Sequence, residues 1–307
     1  MKKFNNLLID DFLIEKELCE WLSKKSLICY LSVFSLLLQN EYIIASDLST
    51  YTTTNFKRLL ANSLLSKNWS SNTYNSYRKY YRVFCEYLKR EWFFSENPID
   101  NILKRKVPQA LPKTLSEKQI KELVDSLDST YDTNSFFWLR NKTIVLTFLF
   151  TGLRRSELSN VKICDIDFSE WFLKVIKGKW SKDRIIPFGD DLRKILFFYC
   201  RLREKSYSDS SDFLFPTSWG LRLQDRDMKT ILDKVRTGVM FHFTWHQLRH
   251  TFATHLVRNN FDIYNISQLL GHSKIETTKI YLSVDPQKLK KQINLISLYS
   301  LALGRTT

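Results

Sequence analysis

The sequence has 307 residues, enough for two domains that each bury a core, and its formal net charge of +15 predicts a polyanionic partner such as nucleic acid. Its five cysteines, odd in number and widely spaced, do not predict a disulfide framework. No run approaches the ~20 apolar residues of a membrane span, and acidic residues interrupt any export signal near the N-terminus. We therefore expect a cytoplasmic protein with reduced cysteines and no membrane partner.

The first third of the chain predicts helices only, at residues 11–23, 26–39, 53–66 and 71–89. In the last of these, Arg78, Lys79 and Arg82 stand among four tyrosines. Such a mixture is typical of side chains that contact DNA phosphates and sugars. The tyrosines suit a half-buried core equally well. This segment therefore predicts a DNA-binding surface, with core packing as the alternative for each ring.

A boundary between domains is predicted at residues 107–113. Pro108 and Pro112 disfavour a continuous helix there, and basic residues surround them. Just beyond, Ser116 and Gln119 have the spacing of a capping box that opens an amphipathic helix. The sequence thus predicts a helical N-terminal domain over residues 1–106 and a second domain over residues 114–307.

The second domain carries an arginine directly after a buried helix. The apolar run 144–150 leads to Gly152, a residue suited to the left-handed conformation that ends helices, and Arg154 then precedes the next helix. Glu157 follows one helical turn after Arg154. We expect its carboxylate to fix the orientation of an arginine or histidine.

One hairpin is the convincing β element of the chain. Residues 171–177 and 184–188 have strand composition and flank a turn that contains Lys179, Trp180 and Lys182. Lys179 therefore lies at the mouth of the hairpin.

Histidine, arginine and tyrosine recur in the last quarter of the chain. His246 and Arg249 share one helical face, where one group could move a proton while its neighbour binds a phosphate. Further on, Gly271 is expected to end a helix just before His272, and Tyr281 lies on the helix that follows. A zinc site on the first of these helices is disfavoured, because Gln247 stands where the metalloprotease pattern has Glu.

Taken together, these segments resemble the tyrosine recombinases of the phage integrase superfamily. In motif pattern and chain length the sequence most resembles the Xer group. The motifs are Gly-Leu-Arg-Arg-Ser-Glu-Leu at 152–158, Gly-Lys-Trp-Ser-Lys-Asp-Arg at 178–184, His-Gln-Leu-Arg-His-Thr-Phe-Ala-Thr-His at 246–255, and Leu-Leu-Gly-His to Tyr at 269–281. The resemblance is strong over residues 112–290 and weaker over 70–102. It implies a mainly α protein with an all-helical, SAM-like core-binding domain and a mostly helical catalytic domain with a small β-sheet.

The resemblance and the chemistry of phosphodiesters together assign roles. Arg154 and Arg249 would bind the non-bridging oxygens in bidentate fashion, and His272 would donate a hydrogen bond to the same phosphate. Tyr281 would be the nucleophile and His246 its proton acceptor. Such chemistry implies no metal and no ATP or other cofactor.

The hairpin supplies the remaining roles. The resemblance makes Lys179 the general acid for the leaving 5′ hydroxyl, while Lys182 and Arg184 are expected to be phosphate contacts or turn residues. One departure from the family pattern is Trp180, which stands where the family often has glycine.

The function that these roles imply is site-specific recombination of double-stranded DNA through a 3′-phosphotyrosine and a Holliday junction. The expected assembly is a homotetramer on two duplexes or a heterotetramer with a sister recombinase, with an activating protein as a further partner. The apolar C-terminal segment would dock on a neighbouring protomer or on its own domain. The size favours Xer-like resolution of chromosome or plasmid dimers, and integration or excision of a mobile element is the alternative. A DNA-binding regulator without catalysis and a type IB topoisomerase are the other classes.

Overall fold

The computed structural model describes residues 7–18, 24–44, 47–108, 112–129, 136–176, 183–207, 211–272 and 276–279. The chain divides into two compact units, residues 1–109 and 110–307. The described residues are mainly helical, with a single small antiparallel sheet in the second unit. The predicted fold class is therefore confirmed. No helix in the described ranges is long and apolar enough to cross a membrane.

The first unit contains only helices among its described residues. They are α1 (Leu7–Leu18), α2 (Lys24–Leu38), a short 3-10 turn (Leu48–Thr50), α3 (Thr53–Ser66) and α4 (Ser71–Arg90). Side-chain caps set two of the starts, because Thr52 and Ser70 accept hydrogen bonds from the backbone N–H three residues on. The predicted first helix starts four residues too late, and residues 19–23 lie outside the described ranges.

Aromatic side chains form the core of the first unit. Phe12, Phe34 and Phe84 are fully buried, and the ring of Phe84 lies 5.2 Å from Phe12 and 4.8 Å from Phe34, edge to face. Tyr81 is also buried, and its hydroxyl donates to the Val33 carbonyl at 3.1 Å. Core packing is therefore the role of this tyrosine.

The second unit places helices around the sheet. Its elements are α5 (Glu117–Ser129), α6 (Phe136–Thr151), α7 (Arg155–Leu158), a 3-10 turn (Ile163–Asp165), β1 (Ile166–Asp167), β2 (Phe172–Val175), β3 (Arg184–Pro187), α8 (Asp190–Tyr207), α9 (Asp225–Arg236), α10 (Trp245–Arg258), α11 (Ile263–Leu270) and α12 (Glu276–Lys279). The capping box predicted at the start of α5 is present, since Ser116 and Gln119 exchange side-chain to backbone hydrogen bonds.

Helix α6 is central to this unit because it is apolar on nearly all sides. Ile144, Val145 and Phe148 are fully buried, and Phe148 stacks on Trp245 of α10 with ring centroids 4.6 Å apart. Helices α8 and α10 both pack on α6. The packing of α10 on α6 brings the Gly152 end of α6 to the helix that carries His246 and Arg249.

The sheet has one more strand than the sequence predicted. Strands β2 and β3 form the expected hairpin, with Leu173 opposite Ile186, and β1 pairs with the outer side of β2. Strand β1 has only two residues, too short for an alternating pattern to show in the sequence. The hairpin places Arg184 at the start of β3.

Candidate active site

Gly152 shapes the turn that leads to Arg154. Its φ of +60° is left-handed, and a Cβ at this position would lie 2.4 Å from Cδ1 of Phe252. Its carbonyl accepts a hydrogen bond from Nη1 of Arg249 at 2.6 Å. Glycine is therefore required both by backbone conformation and by the close approach of α10.

Arg154 precedes α7 and is held by Glu157. The Glu157 carboxylate accepts from the backbone N–H of Arg154 at 2.8 Å and from its Nη1 at 2.9 Å. The backbone bond caps the helix, and the side-chain bond fixes the guanidinium. The contact expected between Glu157 and an arginine is present, and 36% of the Arg154 side chain stays exposed.

Three arginines meet at the C-terminal end of α11. They bind three consecutive carbonyls, here called the carbonyl triplet: Arg184 Nε donates to Leu269 at 2.7 Å, Arg249 Nη2 to Leu270 at 2.7 Å, and Arg154 Nη2 to Gly271 at 2.8 Å. The last carbonyls of a helix lack partners within the helix and carry partial negative charge, so cations are favoured there. The carbonyl triplet thus brings together Arg154, which precedes α7, Arg184 of β3 and Arg249 of α10.

Arg184 is buried, and this corrects its predicted role. Its side chain is 8% exposed, and its Nη1 and Nη2 donate to the two carboxylate oxygens of Glu157 at 2.9 and 2.8 Å. A guanidinium that is bound in this way to a carboxylate and a carbonyl has no open face for DNA. Neither predicted role of Arg184, phosphate contact or turn residue, agrees with this placement, because the residue begins β3 and joins that strand to α7 and α11.

The carboxylate of Glu157 remains charged in this environment. Burial alone would raise its pKa, but the hydrogen bonds and charge of Arg184, followed by those of Arg154, hold the pKa at about 2. One carboxylate therefore faces two guanidinium groups, which leaves a net positive site. Such a site suits a bound phosphate diester.

His272 immediately follows the carbonyl triplet and is held through both ring nitrogens. Nη2 of Arg249 lies 3.1 Å from Nε2, and Thr278 Oγ1 lies 2.7 Å from Nδ1. Because arginine only donates, Nε2 must be the acceptor and Nδ1 carries the proton in a neutral ring. A hydrogen bond from Nε2 to phosphate would then require loss of the Arg249 contact and a proton on Nε2, which the neutral ring can carry if the Thr278 hydroxyl donates to Nδ1.

His246 lies on the exposed side of α10, close to the same positive charges. Desolvation, followed by Arg249, Arg154 and Arg155, lowers the pKa of His246 below its ordinary value. Its ring lies 5.3 Å from that of His250, whose pKa burial lowers to about 4. No further described His, Cys, Asp or Glu joins them in a group that could hold a metal. The lowered pKa favours the neutral form of His246, the state in which a histidine accepts a proton.

Comparison with known proteins agrees with this geometry. The sequence pattern of the Phage integrase family matches residues 113–288, more than half of the chain. The chain belongs to the phage integrase family. Tyrosine recombinase XerA of Pyrococcus horikoshii is 37% identical over 221 residues, which cover 71% of this chain and 72% of that protein. The predicted family and enzyme class, a tyrosine recombinase, are confirmed.

Solved structures of integrase-family proteins share the fold. A crystal structure of XerA recombinase matches 94% of this chain and 98% of its own, with 27% identity and a TM-score of 0.53. A crystal structure of XerH site-specific recombinase matches 96% of this chain and 98% of its own, with 19% identity and a TM-score of 0.71. At 19% identity, the match to the XerH structure shows only that the two proteins share a fold.

Four predicted residues of this integrase-family chain lie outside the described ranges. They are Lys179, Trp180, Lys182 and Tyr281. Their roles stay predictions, and the described site consists of Arg154, Arg249, His246, His272 and Glu157.

The DNA-contact residues predicted in α4 divide into two classes. Arg78 is buried at 8% exposure, and its guanidinium donates to the carbonyls of Ile102 and Ile99, so its prediction as a DNA contact is wrong. Lys79 is exposed, and Arg82 is exposed with a 2.6 Å bond to Asp100. These two remain predicted DNA contacts of the first unit.

Sequence reasoning assigned no role to Thr278 and a role to Arg184 that the structure does not support. Thr278 lies six residues after His272, and no local pattern indicates a hydrogen bond between the threonine hydroxyl and the histidine ring. A signal did exist for Arg184, since residues alternate across a strand and Arg184 shares a face with buried Ile186. The strand period would have placed this arginine inside.

Proposed function

We propose that this chain is a site-specific recombinase that cuts DNA with Tyr281, forms a 3′-phosphotyrosine and rejoins strands through a Holliday junction. The observation that carries the proposal is the joint anchoring of Arg154 and Arg249 on the carbonyl triplet, beside His272. The guanidinium of Arg154, whose side chain is 36% exposed, is fixed in advance and would stabilise the charge that gathers on a phosphodiester in its transition state. Arg249 is 4% exposed and would have to release a carbonyl to bind the same phosphate.

In the proposed reaction the phenolic oxygen of Tyr281 forms a bond to phosphorus while the bond from phosphorus to the 5′ oxygen breaks. His246 would take the phenolic proton, and Lys179 would give a proton to the leaving 5′ oxygen. The lowered pKa of His246 supports this role, because a neutral imidazole has a free lone pair at neutral pH. Attack by a 5′ hydroxyl then reverses the step and reseals the strand.

Likeness to Xer proteins supports dimer resolution as the biological task and duplex DNA as the partner. The chain is 37% identical to Tyrosine recombinase XerA. The XerH structure that shares its fold is a complex with the difH substrate. By the same likeness we propose a tetramer on two duplexes, with identical subunits or a sister recombinase.

The test is cleavage of a nicked suicide duplex, whose short fragment diffuses away after cutting and traps the covalent complex. Candidate sites come from DNA that flanks the gene and from the replication terminus of the chromosome. Wild type and Tyr281→Phe are compared on denaturing gels without added metal. A covalent band is expected with wild type only, because phenylalanine has no nucleophilic oxygen.

Either alternative result would change the proposal. The same band with Tyr281→Phe would show that another residue is the nucleophile. Binding without a band from either protein, on a site that footprinting confirms, would favour a regulator that does not cut. Two differently labelled duplexes then separate recombination from topoisomerase activity, because only recombination joins a strand to a new partner.

A further inference from the structure

Trp219 stands at the tip of a turn and is 85% exposed. The turn spans residues 216–222 and is here called the Trp219 turn. Leu221 in the same turn is 64% exposed. An indole this open to water is unusual, because tryptophan buries most of its surface in most proteins. The exposed indole offers a flat apolar face to a ligand.

Hydrogen bonds within the turn hold its backbone in one shape. Thr217 N donates to the Leu221 carbonyl at 2.7 Å, and Gly220 N donates to the Thr217 carbonyl at 3.1 Å. Thr217 Oγ1 accepts from the backbone of Trp219 at 3.3 Å and of Leu221 at 3.1 Å. Gly220 has a φ of +74°, which closes the turn. The tip is preorganised, so little entropy is lost when it binds.

Side chains from two core helices hold the base of the turn. Nη1 of Arg140 donates to the Pro216 carbonyl at 2.6 Å, and the hydroxyl of Tyr207 donates to the Thr217 carbonyl at 2.8 Å. Arg140 lies on α6 and Tyr207 ends α8, both of which belong to the core of this unit. The indole is therefore presented by a rigid support.

The turn is also linked to the helix that follows Arg154. Nη1 of Arg222 donates to Asn160 at 3.1 Å, and Arg155 pairs with Asp225 at 3.0 Å. Both bonds join the turn and the start of α9 to α7 and the residues after it. The Trp219 turn and the start of α9 are thus fixed to the segment that directly follows Arg154 in the chain.

The charges around the turn favour a polyanion. Asp225 is paired with Arg155, and Asp227 accepts the backbone N–H of Gln224 at 2.7 Å. Arg226 and Lys229 on the same helix are exposed, and neither has an ion-pair partner among the described residues. The acids near the turn are engaged while exposed cations remain, which suits DNA better than an apolar protein surface.

We propose that Trp219 packs its indole on a deoxyribose of the DNA duplex that the protein binds. This inference rests on the proposed recombinase function and names a further binding residue for it. Such a contact is independent of base sequence, because every nucleotide of a duplex offers the same sugar.

The first test is binding of the full chain to a mixed-sequence duplex at low salt, followed by fluorescence anisotropy of the labelled DNA. Trp219→Ala should weaken binding about tenfold, and Trp219→Phe should retain most of the affinity because a ring remains. The control is Met240→Ala, which removes a 96% exposed apolar side chain from another loop of the same unit. We expect no change in affinity for this control.

The second test observes the indole itself. Wild type is labelled with 5-fluorotryptophan, and the fluorine resonance of Trp219 is assigned by its loss in Trp219→Phe. Addition of the duplex should shift this resonance and protect it from a soluble paramagnetic agent. The signal reports on Trp219 whether or not the alanine variant is fully stable.

Other outcomes would overturn the inference in distinguishable ways. If no variant and no wild type binds DNA, the proposed function itself fails. If wild type binds DNA but the Trp219 resonance and affinity are unaffected, the recombinase proposal stands and the Trp219 contact is wrong. If Trp219→Ala instead changes only self-association in sedimentation, the turn binds protein.

Discussion

Glu157 and Arg184 form a buried, bidentate ion pair in which both side chains are only 8% exposed. The same carboxylate also fixes the guanidinium of Arg154. The orientation of the proposed phosphate-binding arginine therefore depends on a strand residue that itself stays away from DNA. Breaking a buried pair on one side leaves a charge without compensation, which is more costly than losing a surface pair.

Glu157→Gln should lower the free energy of unfolding by about 3–5 kcal/mol at neutral pH, because Arg184 and Arg154 lose their counter-charge. The measurement is urea unfolding followed by circular dichroism. Glu170→Gln is the matched control, since Glu170 is exposed in a turn of the same unit. Equal stability of wild type and Glu157→Gln would show that the pair contributes nothing.

The loss should also depend on pH. The pKa of Glu157 is held at about 2 in the folded state against an ordinary value of 4.5, so its stabilisation is fully present above 4.5 and is lost as pH falls towards 2. The difference in unfolding free energy between wild type and Glu157→Gln should therefore shrink as pH is lowered below 4.5. A difference that stays constant from pH 7 to pH 3 would contradict the depressed pKa.

Arg184→Gln should destabilise the second unit without changing the number of DNA phosphates that the protein binds. Its guanidinium faces Glu157 and Leu269 instead of solvent. The slope of log affinity against log salt concentration should stay at the wild-type value, whereas exposed Lys79→Gln should reduce this slope by about one. The reverse pattern would restore Arg184 as a phosphate contact.

Gly152→Ala should destabilise the fold by roughly 2–4 kcal/mol, from a left-handed backbone together with overpacking. The added Cβ would lie 2.4 Å from Phe252, whose helix carries Arg249. Gly189→Ala is the control, because no atom lies within 4 Å of a Cβ at that position. Thermal unfolding of both variants gives the comparison, and similar melting temperatures would refute the steric argument.

Thr278→Val should slow DNA cleavage about tenfold while leaving DNA affinity near wild type, because His272 would lose the partner of its Nδ1 proton. Valine keeps the volume of this fully buried side chain. Thr278→Ser retains the hydroxyl and should restore the rate. Single-turnover formation of the covalent band on the suicide duplex measures the effect.

Local features made much of the fold predictable from the sequence. Helices α3 and α4 follow from their serine and threonine caps, and the end of α6 follows from Gly152, since a cap or a glycine acts within a few residues. The two-residue strand β1 was not predicted, because only its pairing with β2 identifies it as a strand and its own sequence is too short to show a pattern. Order and spacing of the motifs likewise identified Arg154, Arg249 and His272.

The amino-acid sequence alone therefore predicted the local elements, the functional residue types that they carry, and the family. Which charged groups face solvent depended on the three-dimensional fold. Arg78 and Arg184 resemble phosphate contacts in the sequence, yet each is buried against carbonyls or a carboxylate that the fold supplies. The bond from Arg154 to Gly271 spans 117 residues of chain. Such contacts depend on packing between distant elements, and no local pattern encodes the partner of a buried charge.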